Sequence, residues 1–385
     1  MTVIKFLAEV GVLVSLGYYI GAIIAAYLFS RRASAPAPEL PKIPPRVAVL
    51  KPLHGLSKTL PTNLISYLEL AYPRVEFLFG VSSYDDPAAQ VPVSLRPTYQ
   101  FANLTMLVGE EPNCANRKIA KVIRMAERAD KADIFVLSDA DVSVERDHLR
   151  RVVSDLLADD KVGVVTCVYR ARPLGSLASR LEALSVNTDF APQAIFSAAV
   201  EPLRHGLGAT IAIKRPALDS VGCFRSLKDL LADDFYLGRL ATEHGWKMKL
   251  ASSVVTITCE EEHFEDFWNH QLRWARTYRT VRPESLATLA IHGTFWALLL
   301  VIASGASPFS LAALAAVLAT RYGMSAYMLA RVLKLPELLG DVWLVPFKDL
   351  VMTGIWFASL ISKRVRWAGR SFEILRGGVM REVKG

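Results

Sequence analysis

Cysteine is scarce in this sequence. The 385 residues hold four, Cys114, Cys167, Cys223 and Cys259, and no two have paired spacing. That leaves no disulfide framework to read, and a cytoplasmic domain would keep all four as reduced thiols. The common phosphate-binding loops are missing too. There is no Gly-x-Gly-x-x-Gly and no Walker sequence, so a bound diphosphate would need a metal ion and cationic side chains instead. No stripe of basic and aromatic residues occurs away from the apolar segments, which argues against nucleic acid as a partner. No internal repeat is visible.

What the chain has in quantity is apolar sequence. It is 52% hydrophobic, and its mean hydropathy of +0.28 is high for a soluble enzyme. Val10 to Phe29 is twenty residues without a charge, enough to cross ~30 Å of hydrocarbon as a helix. It lacks a small-residue cleavage site and Arg31-Arg32 follow it, which reads as an uncleaved anchor. Leu286 to Thr320 is also free of Asp, Glu, Lys and Arg, and Ser304-Gly-Ala-Ser-Pro308 breaks it into two helices joined by a tight hairpin. Val351 to Ile361 is too short to span alone. Lys348 and Asp349 separate it from Trp343 to Phe347, so residues 343–361 either span together, lie in the interface or dip in and return. Arg31 and Arg32 flank the anchor, Arg273, Arg276, Arg279 and Arg282 precede the hairpin, and Arg321, Arg331 and Lys334 follow it. This bias places the residues between the membrane segments in the cytoplasm, and Lys363-Arg-Val-Arg366 places the tail there as well. The net charge of +8 is then mostly juxtamembrane, suited to an anionic lipid surface.

After the anchor, Ala35 to Pro45 carries five prolines in eleven residues, a stiff extended spacer. Strands and helices then alternate. Arg46-Val-Ala-Val-Leu50 reads as a strand, Leu60 to Leu70 as a helix, Glu76 to Val81 and Leu104 to Val108 as strands, Ile119 to Ala129 as a helix and Asp133 to Ser138 as a strand. This order predicts an α/β domain, a mostly parallel sheet flanked by helices, with ligands bound beyond the carboxyl ends of its strands.

The stretch VLSDADVSV, Val136 to Val144, sits at such an end and delivers Asp139 and Asp141 one residue apart. Two like charges there imply one of two arrangements. Either a hard divalent cation, Mg²⁺ or Mn²⁺, bridges them to a substrate diphosphate, or Asp141 caps a following helix and Asp139 faces water. In Leu231-Ala-Asp-Asp-Phe-Tyr-Leu-Gly238, Asp233 or Asp234 would serve as a general base, or the pair simply suits a helix N-terminus. Trp268-Asn-His-Gln-Leu-Arg-Trp-Ala-Arg276 is a basic amphipathic helix. One of its arginines would bind a phosphate leaving group, and Trp274 would stack on a sugar or lie among headgroups. Glu260-Glu-Glu-His263 with His270 fits no usual zinc spacing and reads as a solvated acidic face.

Taken in order, these pieces resemble the inverting, metal-dependent glycosyltransferases that use nucleotide sugars: Asp86, then Asp139 to Asp141, then Asp234, then Arg273-Trp274. More narrowly the chain resembles the ceramide glucosyltransferase family, glycosyltransferase family 21, in its bacterial branch, some of which glycosylates hopanoids. Lys51-Pro-Leu-His-Gly55, Asp85-Asp-Pro-Ala88, Asn116-Arg-Lys-Ile119, Ala232-Asp-Asp-Phe235 and Arg366-Trp-Ala-Gly-Arg370 carry the likeness. Three residues before Arg273, where the family usually has Gln or Arg, this chain has His270 followed by Gln271.

The resemblance implies a GT-A-like fold and a role for each residue. Asp86 would contact the uracil or ribose, and Lys118 would lie near the base or diphosphate. Asp139 and Asp141 would bind ribose and metal, and Asp234 would deprotonate the acceptor. Arg273 and Trp274 would hold the diphosphate and close the site. It implies an N-terminal anchor at 1–30, a linker at 31–45, a cytoplasmic catalytic domain at 46–283 and C-terminal membrane helices with a basic tail at 284–385. The expected partners are a UDP-sugar donor, glucose or N-acetylglucosamine, a ceramide or hopanoid acceptor, and the membrane itself, multi-pass in a bacterial inner membrane. A processive polysaccharide synthase shares these acids but needs more membrane helices, and a non-catalytic scaffold with a nucleotide-binding domain would not need its base.

Overall fold

A computed structural model describes residues 2–362, 364–367, 370–375 and 377–383. Lys363 of the basic run and Ala368-Gly369 of the tail motif lie outside the described residues. In chain order the elements begin with α1 (Thr2–Ala33), β1 (Val47–Pro52), α2 (Leu60–Leu68), β2 (Val75–Val81), α3 (Gln90–Leu95), β3 (Leu104–Val108) and α4 (Arg117–Arg128). There follow β4 (Ile134–Ser138), β5 (Val142–Ser143), α5 (His148–Leu157), β6 (Val162–Thr166), β7 (Tyr169–Pro173), α6 (Leu177–Ser185), α7 (Ala191–Val200) and β8 (Thr210–Lys214). The rest are α8 (Arg215–Ser220), α9 (Asp233–Glu243), β9 (Lys247–Leu250), β10 (Val255–Cys259), α10 (Phe264–Val281), α11 (Gly293–Ala303), α12 (Pro308–Tyr327), α13 (Val345–Ser359) and the short strands β11 (Arg364–Trp367), β12 (Arg370–Ile374) and β13 (Met380–Glu382). The chain divides into two compact units, one of Ala33–Tyr169 with Val200–Thr258, the other of Met1–Arg32, Arg170–Ala199 and Cys259–Gly385.

The first unit is built on a seven-stranded sheet of order β3-β2-β1-β4-β8-β6-β9. β8 runs antiparallel to both β4 and β6, and the other adjacent pairs are parallel. The apolar runs VAVLKP and IFVLS are buried at every position, as strands covered on both faces must be. From β1 the chain steps outward to β2 and β3, then returns to place β4 on the other side of β1. Between the ends of β1 and β4 the two connections diverge, which opens a crevice at the carboxyl ends of these strands. Helix α4 covers β1 and β2 with Ile119, Val122, Ile123 and Met125.

The second unit is mostly helical. α10 packs against α6 and α13, and α11 against α12 and α13. Two helices are long and apolar enough to cross a membrane, Val3–Ala33 and Pro308–Val332. The charge-free stretch from Leu286 is a hairpin, as its pattern predicts, but its first arm is not one straight helix. A 3₁₀ segment, Pro283–Ile291, meets α11 at 58°, broken at His292, and the pair would make a third span only if it counts as one. α13, at 15 residues, falls short of a bilayer by itself.

The structure corrects the reading of Arg321 as a cation flanking the hairpin. It lies inside the candidate span Pro308–Val332, 2% exposed, and grips Asp349 with Nη2 at 2.8 Å and Nε at 3.0 Å. Asp189 pairs with the same guanidinium, while Lys348, wholly buried, reaches Asp189 at 2.5 Å and Asp349 at 2.8 Å. Two acids thus face two bases, the arrangement that charge in an apolar medium requires.

Candidate functional site

Four carboxylates and two lysines gather at the carboxyl ends of β1 and β4. β4 ends at Ser138, and the chain turns through Asp139, Ala140 and Asp141 into β5. Lys51, buried at the end of β1, holds this turn by its backbone: its Nζ donates to Asp139 O at 2.8 Å and to Val142 O at 3.1 Å, with the Tyr67 ring 3.9 Å away. Asn63 donates to Ala140 O at 3.2 Å. Burial lowers the Lys51 ammonium to about 7, against the opposing pull of Asp141 and Asp139.

Lys118 is presented by the first turn of α4, whose start is fixed by Asn116. The Asn116 side chain accepts from Ile119 N at 3.1 Å as an N-cap and donates to Leu230 O at 2.8 Å. Lys118 Nζ then reaches Asp139 Oδ1 at 2.8 Å and Asp233 Oδ2 at 3.0 Å. Burial alone would lower this ammonium, but the facing carboxylates of Asp139 and Asp233 win and raise it above the usual lysine range. Lys118 therefore stays charged and ties β4 to α9.

Asp233 and Asp234 open α9 but differ in surroundings. Asp233 is 6% exposed and committed to Lys118. Asp234 is half-buried, accepts a hydrogen bond from Phe235 N–H and carries no ion pair among the described residues. Burial, then the Asp233 charge beside it, raises its carboxyl to about 7. The loop before β8 approaches this turn so closely that it needs glycines. Gly206 N donates to Asp234 O at 3.2 Å, and a Cβ on Gly206 would lie 2.6 Å from that oxygen. A Cβ on Gly208 would lie 3.1 Å from Asp234 Oδ2.

Asp141 is exposed as a residue. Desolvation of its carboxyl, then the neighbouring Asp139 charge, raises it to about 6. No helix begins at Asp141, so the capping alternative falls away. Asp86 lies on the loop after β2. It accepts from His54 Nδ1 at 3.0 Å, Gly55 N at 2.9 Å and Ala88 N at 3.0 Å, and so joins the loop after β1 to its own. Burial pushes its carboxyl up, but these donors prevail and hold it below the usual range. Sequence reasoning singled out Asp86, Lys118, Asp139, Asp141 and the Asp233-Asp234 pair. It gave no role to Lys51, although the residue stands in a quoted motif, nor to Gly206 and Gly208, whose only sequence signal is two glycines shortly before an apolar strand.

Arg273 and Trp274 lie on α10, in the helical unit. The Trp274 ring sits 4.9 Å from that of His270 and 6.3 Å from that of Phe190. Gln271 is buried and donates to Glu182 Oε1 at 2.8 Å. His270 Nδ1 lies 3.1 Å from Glu182 Oε1 and 3.3 Å from Glu261 Oε1. Burial would lower this imidazole, but the two glutamates overcome it and raise it to about 9. Glu261 therefore does not belong to a solvated acidic face. Its partner Glu182 comes from α6, 79 residues earlier, an encounter no local spacing reveals.

A mostly parallel sheet with paired aspartates at the switch point defines a GT-A-like glycosyltransferase fold. The chain matches a solved mannosyltransferase, PcManGT from Pyrobaculum calidifontis, in complex with GDP-Man and Mn²⁺, at 20% identity with a TM-score of 0.51, covering 92% of this chain and 99% of that one. The chain belongs to glycosyl transferase family 21, whose model matches residues 8–380. Ceramide glucosyltransferase 1 of Caenorhabditis elegans is 22% identical over 348 residues, 88% of this chain and 74% of that protein. Ceramide glucosyltransferase 3 of the same organism is 22% identical over 251 residues, 65% of this chain and 54% of that protein. The chain thus spans about half the length of one curated relative and about three quarters of the other.

Proposed function

We propose that this chain transfers a sugar, glucose or N-acetylglucosamine, from a UDP-sugar to the hydroxyl of a membrane lipid, a ceramide or a hopanoid, with inversion at the anomeric carbon. The observation that carries the reading is the division of labour between the acids of α9. Lys118 locks Asp233 in an ion pair, while Asp234 stays accessible with a carboxyl near neutrality, suited to accept a proton. The names of the C. elegans relatives support a ceramide-like acceptor.

Asp139 and Asp141 are the residues that would hold a divalent cation. Asp141 carries no ion pair among the described residues, and hard carboxylate oxygens are what Mg²⁺ and Mn²⁺ take. The solved mannosyltransferase is a complex with Mn²⁺, which supports a divalent cation here. Such an ion would neutralise charge growing on the departing diphosphate. Lys118 holds the Asp139 carboxylate in place, and Lys51 fixes the backbone on which both acids stand. Asp234 takes the proton from the acceptor hydroxyl as its oxygen bonds to the anomeric carbon and the sugar–phosphate bond breaks. On α10, Arg273 would add positive charge for the diphosphate, and Trp274 a face for the sugar. Asp86, held as an anion by its three donors, would meet the uridine. The lysines and arginines around the apolar helices would keep the catalytic unit on the cytoplasmic side.

The test is direct. Purified chain in lipid nanodiscs is given each UDP-sugar with ceramide or hopanoid, and products are read by mass spectrometry. One glycolipid forms in step with UDP release. Polymer as the product, or no transfer to either lipid class, overturns the proposal.

A further inference from the structure

The helical unit holds a second group of ligand-type side chains that the reaction above does not use. Glu182 on α6, Glu261 just before α10 and His270 on α10 bring one donor atom each within 4.8 Å of the other two. The two separations from His270 are those of a coordination shell. Two ligands each bonded to a tetrahedral zinc ion at ~2.0–2.1 Å stand about 3.3 Å apart. His270 Nδ1 stands 3.1 Å and 3.3 Å from the two carboxylate oxygens.

Charge and hydrogen bonding point the same way. Neither glutamate meets a lysine or arginine among the described residues, so even with a proton on the imidazole the group keeps a net negative charge. The Glu182 side chain is 2% exposed, and its Oε2 is buried without a hydrogen-bond partner, as are Glu261 Oε2 and His270 Nδ1. A proton on the imidazole would answer one approach and leave both far carboxylate oxygens bare, each a costly omission in a buried setting. A divalent ion answers all of them. Gln271, donating to Glu182 Oε1, is the outer partner that ligating carboxylates have.

We propose that Glu182, Glu261 and His270 form a transition-metal site, of the kind zinc occupies with one imidazole and two carboxylates, its fourth position open to water. The site joins α6, the segment before α10 and α10 itself, one turn ahead of Arg273 and Trp274. It is distinct in residues and ligand type from the all-oxygen pair Asp139 and Asp141, and it is a positioning device for α10.

The test uses the full chain in detergent, stripped with a chelator and titrated with Zn²⁺ alone by equilibrium dialysis and elemental analysis. A single zinc ion per chain binds, and it still binds when Asp139→Asn and Asp141→Asn are combined. Glu182→Gln and His270→Gln each weaken it by roughly 100-fold or more, beyond the 10–100-fold expected for an outer partner such as Gln271. Zinc lost with the two aspartates and kept in Glu182→Gln overturns the proposal. Where a variant fails to fold, Co²⁺ loading of the unaltered chain decides. Strong visible bands of a four-coordinate ion support the site, and only the weak bands of an octahedral oxygen site overturn it. No donor or acceptor is present, so the result is independent of whether the chain transfers sugar.

Discussion

Asp234→Asn separates the proposed base from everything else at the site. The change is close to isosteric, the Phe235 N–H keeps an oxygen to donate to, and the Lys118 ion pairs with Asp139 and Asp233 are untouched. Loss of a positioned base lowers turnover by about 10²–10⁴-fold. Donor affinity, measured by UDP-sugar titration, stays within about threefold, since uniform binding is not what the base supplies. Stability moves the other way. The folded state holds the Asp234 proton up to about pH 7, the unfolded chain releases it near pH 4, so ionising the buried group costs stability as pH rises between those values. Linkage sets an upper bound of roughly 4 kcal/mol above pH 7, which Asn recovers there and not at about pH 4. The assays are single-turnover transfer and thermal unfolding in detergent across this range. The wild-type rate climbs with pH through about 7, as an unprotonated base requires. A variant that keeps transfer within tenfold, or one no more stable than wild type above neutrality, refutes the reasoning.

Three further outcomes are expected. Gly208→Ala puts a Cβ 3.1 Å from Asp234 Oδ2, so the carboxylate shifts by a few tenths of an ångström; kcat drops about tenfold with KM little changed, as positional errors at a reacting group do. Chelating divalent metal abolishes transfer, and Asp141→Asn raises the metal concentration needed for half-maximal rate by about tenfold or more; undiminished activity in excess chelator removes the role given to Asp139 and Asp141. Arg321→Met leaves Lys348 alone to face both Asp189 and Asp349 in the helical unit, one buried negative charge uncompensated, and costs roughly 3–5 kcal/mol, seen as lost thermal stability in detergent.

Much of the sheet was legible because its strands are buried on both faces and so read as short apolar runs. Ile134 to Ser138 is the clearest, and its abrupt end in two acids marks a carboxyl strand end of the kind that meets ligands, whereas its place beside β1 at the switch point depends on the strand order. The motif Asn116 to Ile119 was legible only as a pattern. Its physical content, an N-cap that aims Lys118 at two carboxylates, depends on Asp139 and Asp233, 21 and 115 residues beyond Lys118. Arg321 shows the opposite failure. Counted along the chain it is a loop cation at the end of an apolar run, and only its meeting with Asp189 and Asp349 makes it an interior residue. The bend at His292 escaped for a third reason: hydropathy is blind to a 3₁₀ segment as apolar as the helix it joins.

Burial is the largest cause of the raised carboxyls of Asp141 and Asp234, and a shared excess of negative charge adds to it. Asp139, Asp141, Asp233 and Asp234 bring four negative charges, and Lys118 and Lys51 bring two positive ones at most. Lys51 is itself drawn down toward neutrality by burial, so its share shrinks as pH rises above 7. The protein alone therefore leaves an excess of at least two negative charges at the end of β4, which it relieves by holding protons on Asp141 and Asp234 up to near-neutral pH. The same excess is what a divalent ion neutralises, and Asp141, the open member of the set, is where it would enter. Metal and proton compete for one deficit of positive charge. In this account the pair at the strand end and the base on α9 are one electrostatic unit, with Lys118 as the cation they share.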